Sequence, residues 1–342
     1  MPREGYAQRG DVIVDAATLT NEEWLQYRKL GIGGSDVGPI HNVSPWAFAA
    51  DVYRNKIGDS PLKEEEDNWA VLEIGHRLEE VVARLFAEQT GLRVFDDTNM
   101  YRHPLHPCMI GDADRLFEMP DGTIGLLECK TTTSHNMAKW RDGHIPTYYE
   151  LQVRHYMAVL NIDIAYIACL CGNNPSDFYY WKITRDYDIE DQIIDINEYF
   201  WSNYVEARRE PPRPKSVETQ RLIESIERWY SQSEESPEAV ALEDDDIKIF
   251  ERYFEYEEQK SALKRQIEEI EKLQNELVNP YVEDMMINHR RFYSDEYSIS
   301  MSSRNTRSVD YKKLETLYPE VYKECVKETK NKTKKIIKKE KK

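Results

Sequence analysis

The chain has 342 residues, and 63 acidic residues against 46 lysines and arginines give it a formal net charge of -17. This charge excludes a protein that coats nucleic acid by bulk attraction, because backbone binding depends on local lysine and arginine density. No apolar run approaches the roughly 20 residues that span a bilayer, and the polar start lacks a signal-peptide block. We therefore expect a cytoplasmic protein without membrane contact. Its five cysteines lack paired spacing and are expected to be reduced.

The N-terminal third of the chain is predicted to be helical, with one glycine-rich loop. Residues 21–29 carry two acids in the first turn, as a short helix should. The sequence GIGGSDVG then requires a loop, after which Ser35 and Asp36 can cap a second helix whose N–H groups suit a phosphate. Residues 71–90 form a third helix, with Glu79 at the edge of its apolar stripe. The stripe comprises Leu78, Val81, Val82, Leu85 and Phe86.

The middle of the chain alternates between strand and helix periodicity. Residues 108–117 and 123–133, separated by the turn MPDG, indicate an antiparallel hairpin. Helix 147–161, strands 162–172 and 177–185, and helix 186–209 follow in that order. This succession predicts an α/β (α+β) fold.

Composition divides the chain into three parts. Residues 1–210 hold the predicted domain, and residues 211–245 are predicted to be a linker because proline and acidic runs bury little surface. Residues 246–342 comprise a long amphipathic helix, a small hairpin, a final helix and a basic tail, which is either a solvated terminus or a phosphate contact. The apolar positions of the long helix are Ile247, Phe250, Phe254, Leu263, Ile267, Ile270, Leu273 and Leu277.

The hairpin carries the most specific chemical signal. Asp114 lies on its first strand, while Glu128 and Lys130, two residues apart on the returning strand, share one face. Carboxylates in this arrangement suit a divalent cation such as Mg²⁺, which prefers oxygen ligands and lowers the pKa of bound water. A nearby ammonium group can steady developing charge. The pattern is typical of phosphodiester hydrolysis.

A plain surface hairpin with ion-paired side chains is the alternative interpretation. Two features favour the chemical one. Glu128 and Lys130 end the apolar run IGLLECK, whose alternate residues should lie in a core. In addition, the polar helical residues Glu79 and Gln152 flank the hairpin in sequence.

Five motifs together resemble a known family. The sequences GIGGSDVG, GHRLEEVVARLF, IGDADRLF, GLLECKT and YELQVRHYM, in this order and spacing, are similar to those of YqaJ-type viral recombinases. These proteins are relatives of lambda exonuclease within the PD-(D/E)XK nuclease superfamily. The likeness covers residues 20–210. It implies a restriction-endonuclease-like core, in which a central mixed sheet is flanked by helices, with a helical C-terminal extension.

The resemblance also implies roles for individual residues. It assigns Glu79, Asp114, Glu128 and the carbonyl of Cys129 to metal binding, with Mg²⁺ or alternatively Mn²⁺ as the cofactor. Lys130 would be catalytic. The same resemblance gives the remaining assignments: Gln152 supports the site, and Arg28 and Ser35 bind the 5′-phosphate of a DNA end, where a helix start beside a guanidinium group suits an anion.

The chain departs from the family pattern at one motif. Where relatives usually have Ser-Pro-Asp-Gly, this chain has Asp112, Ala113, Asp114 and Arg115. An additional carboxylate therefore lies two residues before the expected ligand. Asp112 is a second candidate for the metal, beside or instead of Asp114.

The leading functional hypothesis is a processive 5′-to-3′ exonuclease that leaves 3′ single strands for phage-type recombination by annealing. By resemblance, it would act on double-stranded DNA ends as a homo-oligomeric ring trimer beside a single-strand annealing protein. A structure-specific or restriction-type endonuclease and a non-catalytic DNA-binding module on the same fold are the alternatives.

Overall fold

The computed structural model describes residues 10–59, 69–230, 239–302 and 310–325. The chain divides into two compact units, and the described residues up to 230 belong to the first and residues 239–302 and 310–325 to the second. The first unit contains a central sheet and every predicted site residue, and the second contains the long helix. The predicted basic tail, residues 327–342, lies outside the described residues.

The strands of the described residues form three sheets, of five, three and two strands. In chain order they are β1 Asp11–Asp15, β2 Arg93–Phe95, β3 Asn99–Arg102, β4 Ile110–Gly111, β5 Arg115–Glu118, β6 Ile124–Thr132, β7 Ile164–Cys171, β8 Phe178–Thr184, β9 Phe292–Tyr293 and β10 Ser298–Ile299.

The α-helices follow the predicted order, with several short additions. They are α1 Asn21–Arg28, α2 Gly34–Ile40, α3 Ala49–Lys56, α4 Trp69–Thr90, α5 Thr147–Leu160, α6 Tyr187–Phe200, α7 Thr219–Trp229, α8 Asp244–Asn288, α9 Tyr311–Leu317 and α10 Pro319–Cys325. Helix α6 continues as a π-helical turn, Trp201–Glu206, and short 3-10 turns comprise Ala16–Thr18, Ser134–Lys139 and Pro175–Asp177.

The five-stranded sheet has the order β2-β5-β6-β7-β8, with β6 parallel to β7 and the other neighbours antiparallel. Side chains alternate across it, so one face packs on α5 and the other on α4. Leu126 belongs to the same buried cluster as Val153 of α5, while Leu127 belongs to a second cluster with Val82 and Phe86 of α4. The predicted α/β fold with a central mixed sheet and a C-terminal helical region is confirmed.

The β5–β6 hairpin pairs as the sequence predicts, with one interruption. Arg115 lies opposite Leu127, and Gly122 closes the turn at a φ of +84°. However, the first predicted strand is broken after Gly111, because β4 pairs with β3 in the three-stranded sheet. Residues 112–114 therefore bridge two sheets. Extending the β5–β6 register by one residue places Asp114 opposite Glu128.

Two helix predictions differ in detail from the structure. Val82 and Phe86 of α4 are fully buried, but Val81 is 41% exposed, because adjacent residues lie about 100° apart around a helix. The predicted final helix is divided into α9 and α10. Pro319 explains the break, since proline cannot continue the hydrogen bonding of a helix interior.

Residues 211–245, predicted as a linker, contain helix α7. This helix packs through the buried carboxylate of Asp51, on α3, which accepts hydrogen bonds from Ser225 Oγ at 2.9 Å and Trp229 Nε1 at 2.6 Å. Its other oxygen accepts from the Phe48 amide at 2.7 Å. Proline and charge in the flanking sequence conceal this helix, because its partner lies more than 160 residues earlier.

The second unit contains the predicted long helix as one element, α8, followed by the predicted small hairpin β9–β10. Tyr281 of α8 contacts Phe292 with ring centroids 5.2 Å apart, so the hairpin packs on the end of the helix. Most of the predicted apolar positions, which precede Tyr281 in α8, are exposed. Within the described residues, no helix combines the length and the apolar character that are needed to span a bilayer.

We predict that Asp51→Ala lowers the free energy of unfolding by about 3 kcal/mol, because three buried donors lose their acceptor. Urea denaturation of the full chain measures this loss. Asp163→Ala is the matched control. Its carboxylate is 71% exposed and pairs with Arg185 at 3.2 Å, so it should cost less than about 1 kcal/mol. Equal losses in the two variants would contradict the role of Asp51.

Candidate active site

The centre of the site is the carboxylate of Glu128, on the face of β6 that packs towards α5. Glu128 is fully buried. Its Oε1 accepts a hydrogen bond from Gln152 Nε2 at 2.6 Å and lies 2.5 Å from the Nζ atom of Lys130. Its Oε2 is buried and has no hydrogen-bond partner in the described structure. The strand alternation predicted from the sequence thus brings Glu128 and Lys130 into direct contact.

Asp114 and Glu79 complete the acidic group from two other elements. The Asp114 Oδ2 atom accepts a hydrogen bond from the Cys129 amide at 2.8 Å, which ties the bridging segment to β6. Glu79 reaches the same region from α4 and is close enough for the negative charge of Asp114 to raise its pKa. Its Oε1 atom also lies 3.2 Å from His76 Nδ1. Acidic side chains from a helix and from a β-ribbon therefore lie close enough to interact electrostatically.

Burial and mutual repulsion perturb all three carboxyl groups. Burial, followed by the charge of Asp114, raises the pKa of Glu128 to about 8. Burial also raises the pKa of Asp114, against the opposing influence of Lys130 and the Cys129 amide. Burial contributes most to the raised pKa of Glu79 as well. Negative charge at this centre is therefore incompletely compensated by the protein's own groups.

Lys130 is the positive group of the site. Burial alone would lower the pKa of its ammonium group, but Glu128 and Asp114 outweigh burial and raise that pKa above its ordinary value. The Nζ atom also lies 5.1 Å from the ring centroid of Tyr149. Lys130 is thus held as a cation, between acidic side chains and an aromatic face.

The donor set fits a divalent cation that prefers oxygen ligands. Among the described residues, no group of three or more histidine, cysteine, aspartate or glutamate side chains is already arranged to hold a metal ion. Nevertheless, the unpartnered Oε2 of Glu128 is a buried acceptor that lacks a donor, and it lies near two other acidic groups with raised pKa values. Of the three, Glu79 has the side chain on the helix α4, and this side chain is 27% exposed.

Asp112 belongs to a different group of side chains from Asp114. Its Oδ2 accepts a hydrogen bond from Trp24 Nε1 at 3.2 Å, and its Oδ1 lies 3.8 Å from Arg28 Nη1. Asp114 instead lies against the Cys129 amide. The structure therefore favours Asp114 over Asp112 as the carboxylate of the acidic centre.

Arg28 and Ser35, predicted to bind a terminal phosphate, are in direct contact. Arg28 Nη2 donates to Ser35 Oγ at 2.7 Å. A Cβ atom at Gly33 would lie only 2.3 Å from Arg28 Nη1, so a glycine is needed there for the guanidinium to approach the loop. Gly33 also precedes α2, and its amide donates to Asp36 at 2.8 Å. Asp36 thus caps α2 as predicted, whereas Ser35 lies inside the helix and contacts Arg28.

Sequence reasoning missed several residues around this pocket. Lys56 Nζ lies 2.7 Å from Asp36 and donates to the Arg28 carbonyl at 2.6 Å. Trp24 packs beneath Arg28, whose guanidinium carbon lies 5.4 Å from the ring centroid. The spacing of four residues between Trp24 and Arg28 on α1 could have indicated their contact. No local pattern could have indicated Lys56, because it reaches the pocket from α3.

Comparisons with known proteins agree with the predicted resemblance. Residues 23–163, which include all the predicted site residues, match the family model of the YqaJ-like viral recombinase domain. A Bacillus subtilis (strain 168) protein described as uncharacterized protein YqaJ is 29% identical over 326 residues, covering 94% of this chain and 96% of that protein. The resemblance predicted from the sequence motifs is therefore confirmed.

Two of the solved structures that are similar to this chain are exonucleases by description. The alkaline exonuclease LHK-Exo from Laribacter hongkongensis, in complex with dAMP, has a TM-score of 0.46 and 20% identity, covering 55% of this chain and 94% of its own. A phage related exonuclease from Haemophilus somnus 129PT has a TM-score of 0.38 and 14% identity, with coverages of 54% and 99%.

We predict that the metal-free protein becomes less stable as pH rises from about 5 to about 8. In that window the folded protein retains a proton on Glu128, whereas the unfolded chain releases it near the ordinary value of 4.5. Stability present at low pH is therefore lost as pH rises. Glu128→Gln should reduce the slope by about 1 kcal/mol per pH unit, measured by urea denaturation in EDTA.

Glu88→Gln, which removes an exposed carboxylate on the same helix as Glu79, is the control for the lost charge. It should leave the wild-type slope unchanged. If Glu128→Gln and Glu88→Gln gave the same slope as the wild type, Glu128 would not hold a proton in this window.

Proposed function

We propose that this chain is a Mg²⁺-dependent deoxyribonuclease that digests duplex DNA from a 5′ end and leaves a 3′ single strand for annealing. One observation carries the proposal: Asp114, Glu128 and Lys130 converge at a buried centre that Glu79 approaches from α4. The match of residues 23–163 to a viral recombinase domain supports the same conclusion.

The three carboxylates would hold the cation. Bound Mg²⁺, or alternatively Mn²⁺, would supply charge compensation for the phosphodiester and lower the pKa of a bound water. Glu128 offers its unpartnered Oε2, and Asp114 and Glu79 offer further carboxylate oxygens. The carbonyl of Cys129, on the same strand, is the proposed fourth protein ligand.

Lys130 and Gln152 prepare the centre for hydrolysis. The ammonium group of Lys130, held as a cation beside Glu128, can orient the attacking water and stabilise negative charge that develops on the phosphate. Gln152 donates to Oε1 of Glu128 and so leaves Oε2 directed away from that amide. This is a positioning role, because Gln152 contacts the carboxylate rather than the reacting atoms.

Arg28 and Ser35 form the proposed pocket for the terminal 5′-phosphate. A guanidinium group beside a hydroxyl, at the start of a helix, offers several donors to phosphate oxygens. A site that holds the end of a strand favours an exonuclease over an endonuclease. A ring-shaped homotrimer working beside a single-strand annealing protein in the bacterial cytoplasm would complete this activity.

Lys130→Ala should lower Mg²⁺-dependent digestion of 5′-phosphorylated linear duplex by at least about a hundredfold. The expected cause is loss of the only ammonium group in contact with Glu128 among the described residues. The assay follows release of nucleotides from end-labelled DNA, with and without Mg²⁺. Lys182→Ala, at an exposed position of β8, is the matched control and should retain wild-type activity. Undiminished activity of folded Lys130→Ala would refute the assignment.

The same assay separates the alternatives when covalently closed circular duplex is added as a substrate. An exonuclease leaves this DNA intact, whereas a structure-specific or restriction-type endonuclease opens it. Binding of linear duplex without hydrolysis at any Mg²⁺ or Mn²⁺ concentration would instead indicate a non-catalytic module.

Asp112→Asn should increase the preference for 5′-phosphate over 5′-hydroxyl ends by about tenfold. In the wild type, the positive charges of Arg28 and Lys56 are matched by Asp36 and Asp112, so the pocket has little net charge to attract a phosphate. Removing the Asp112 charge leaves a net positive pocket. The measurement is the ratio of initial rates on the two substrates.

Ser35→Ala should change this ratio in the opposite direction, because it removes a donor to the phosphate. Glu88→Gln controls for the loss of a negative charge elsewhere on the chain. An unchanged ratio in Asp112→Asn, with the enzyme active, would show that Asp112 does not oppose phosphate binding.

A further inference from the structure

Trp46 is exposed on a loop that is held firmly in place. Its side chain is 61% exposed. The preceding Ser44 is buried, and its Oγ accepts hydrogen bonds from the amides of Trp46 at 3.2 Å and Ala47 at 3.3 Å. Arg221 of α7 donates to the carbonyl groups of Ser44 and Ala47, the latter at 3.0 Å. The backbone that carries the exposed indole is therefore fixed by hydrogen bonds.

The exposed indole is connected to the acidic centre by aromatic rings in edge-to-face and tilted contact. Trp46 packs edge-on against Tyr148, with centroids 4.9 Å apart, and lies 6.2 Å from the ring of Tyr149. Tyr149 in turn lies beneath Lys130 Nζ at 5.1 Å. Trp46 is thus separated from the proposed catalytic lysine by one aromatic ring. We refer to Trp46, Tyr148 and Tyr149 as the aromatic platform.

An exposed tryptophan by itself is unremarkable on a protein surface. Here, however, one end of the platform is open to solvent and the other contacts a cation that lies among the proposed metal ligands. An anionic backbone held at Lys130 would bring its neighbouring base over this surface. A nucleic-acid strand, which carries a charged backbone and a π face at each base, matches that combination.

Hydrolysis at a duplex end also creates a need for such a surface. A phosphodiester can reach a buried centre only if the terminal base pair opens, and an unpaired base loses its stacking. Stacking on an aromatic side chain recovers part of that loss, and it tolerates any base sequence. Ring contacts with Tyr148 and Tyr149 restrain the indole, so less conformational freedom is lost when a base stacks on it.

We propose that Trp46, supported by the aromatic platform, is a base-stacking subsite for an unpaired nucleotide of the DNA strand whose backbone is held at Lys130. This inference rests on the proposed nuclease function and adds to it a residue that binds the substrate. Helix α7 supports this subsite indirectly, because Arg221 donates a hydrogen bond to the Ala47 carbonyl in the loop that carries Trp46.

The test combines Trp46→Ala with DNA in which single nucleotides near the end are replaced by abasic residues. On intact duplex, Trp46→Ala should lower kcat/KM by about tenfold, equivalent to about 1.4 kcal/mol. When the abasic residue occupies the stacked position, the wild type and Trp46→Ala should have nearly equal kcat/KM. Trp46→Phe, which retains a π face, should recover most of the activity on intact DNA.

Tyr199→Ala is the matched control, because Tyr199 is 56% exposed and contacts Tyr204 of the π-helical turn rather than the platform. It should behave as the wild type on every substrate. A tenfold loss in Trp46→Ala that persists at every abasic position would overturn the proposal. Unchanged kcat/KM of Trp46→Ala on intact duplex would also overturn it. If light scattering then showed a different molar mass for Trp46→Ala and the wild type, Trp46 would belong to an interface between protein chains.

Binding of a duplex with a short 5′ single-stranded tail, measured by fluorescence anisotropy in EDTA, separates this inference from the nuclease assignment. The subsite is supported if Trp46→Ala binds the intact tail more weakly than the wild type and if this difference in affinity is lost with an abasic tail. If the wild type also fails to hydrolyse DNA with Mg²⁺, the same result refutes the nuclease but keeps the subsite. Hydrolysis by the wild type with identical binding by Trp46→Ala would refute the subsite alone.

Discussion

A fully buried carboxylate on β6 determines how the rest of this site is built. Removing a charged group from water is costly unless its oxygens are paired, and Glu128 has one oxygen that accepts from Gln152 and contacts Lys130 while the other has no donor. The nearby Asp114 adds like charge, which with burial accounts for the raised pKa of Glu128. The acidic side chains of this centre thus lack full compensation by the protein's own groups, and this arrangement suits the proposed cation.

Side chains of β6 point alternately towards α4 and α5, and this alternation decides which helix each of them faces. Leu127 and Cys129 pack with the cluster beside α4, so Glu128 and Lys130 must point towards α5, where Gln152 lies. Asp114 joins them because the chain leaves one sheet at β4 and enters another at β5. Among the described residues, no strand pairs with the segment between β4 and β5, and the Asp114 side chain accepts a hydrogen bond from the Cys129 amide instead.

The proposed contacts with DNA lie on one continuous stretch of sequence from α1 to the loop before α3. Arg28 and Ser35 are at its beginning and Trp46 is near its end. The Arg28 guanidinium can lie against the loop because residue 33 is glycine, since a Cβ atom there would collide with the guanidinium. Helix α7 then stabilises the far end through Arg221. Recognition of a strand end and of its unpaired base would therefore depend on the same scaffold as the acidic centre.

The sequence by itself determined the succession of helices and strands, the hairpin, and the shared face of Glu128 and Lys130, because these depend on local periodicity and turn chemistry. It also revealed the similarity to YqaJ-type viral recombinases, through motifs that occur in a set order. The sequence could not separate Asp112 from Asp114, because both are aspartates of one short motif. The tertiary structure showed that Asp112 lies beside Arg28 and that Asp114 lies beside the Cys129 amide. Likewise, Lys56, α7 and Trp46 gain their positions from contacts between residues far apart in the chain, and such contacts leave no periodic signal in the sequence.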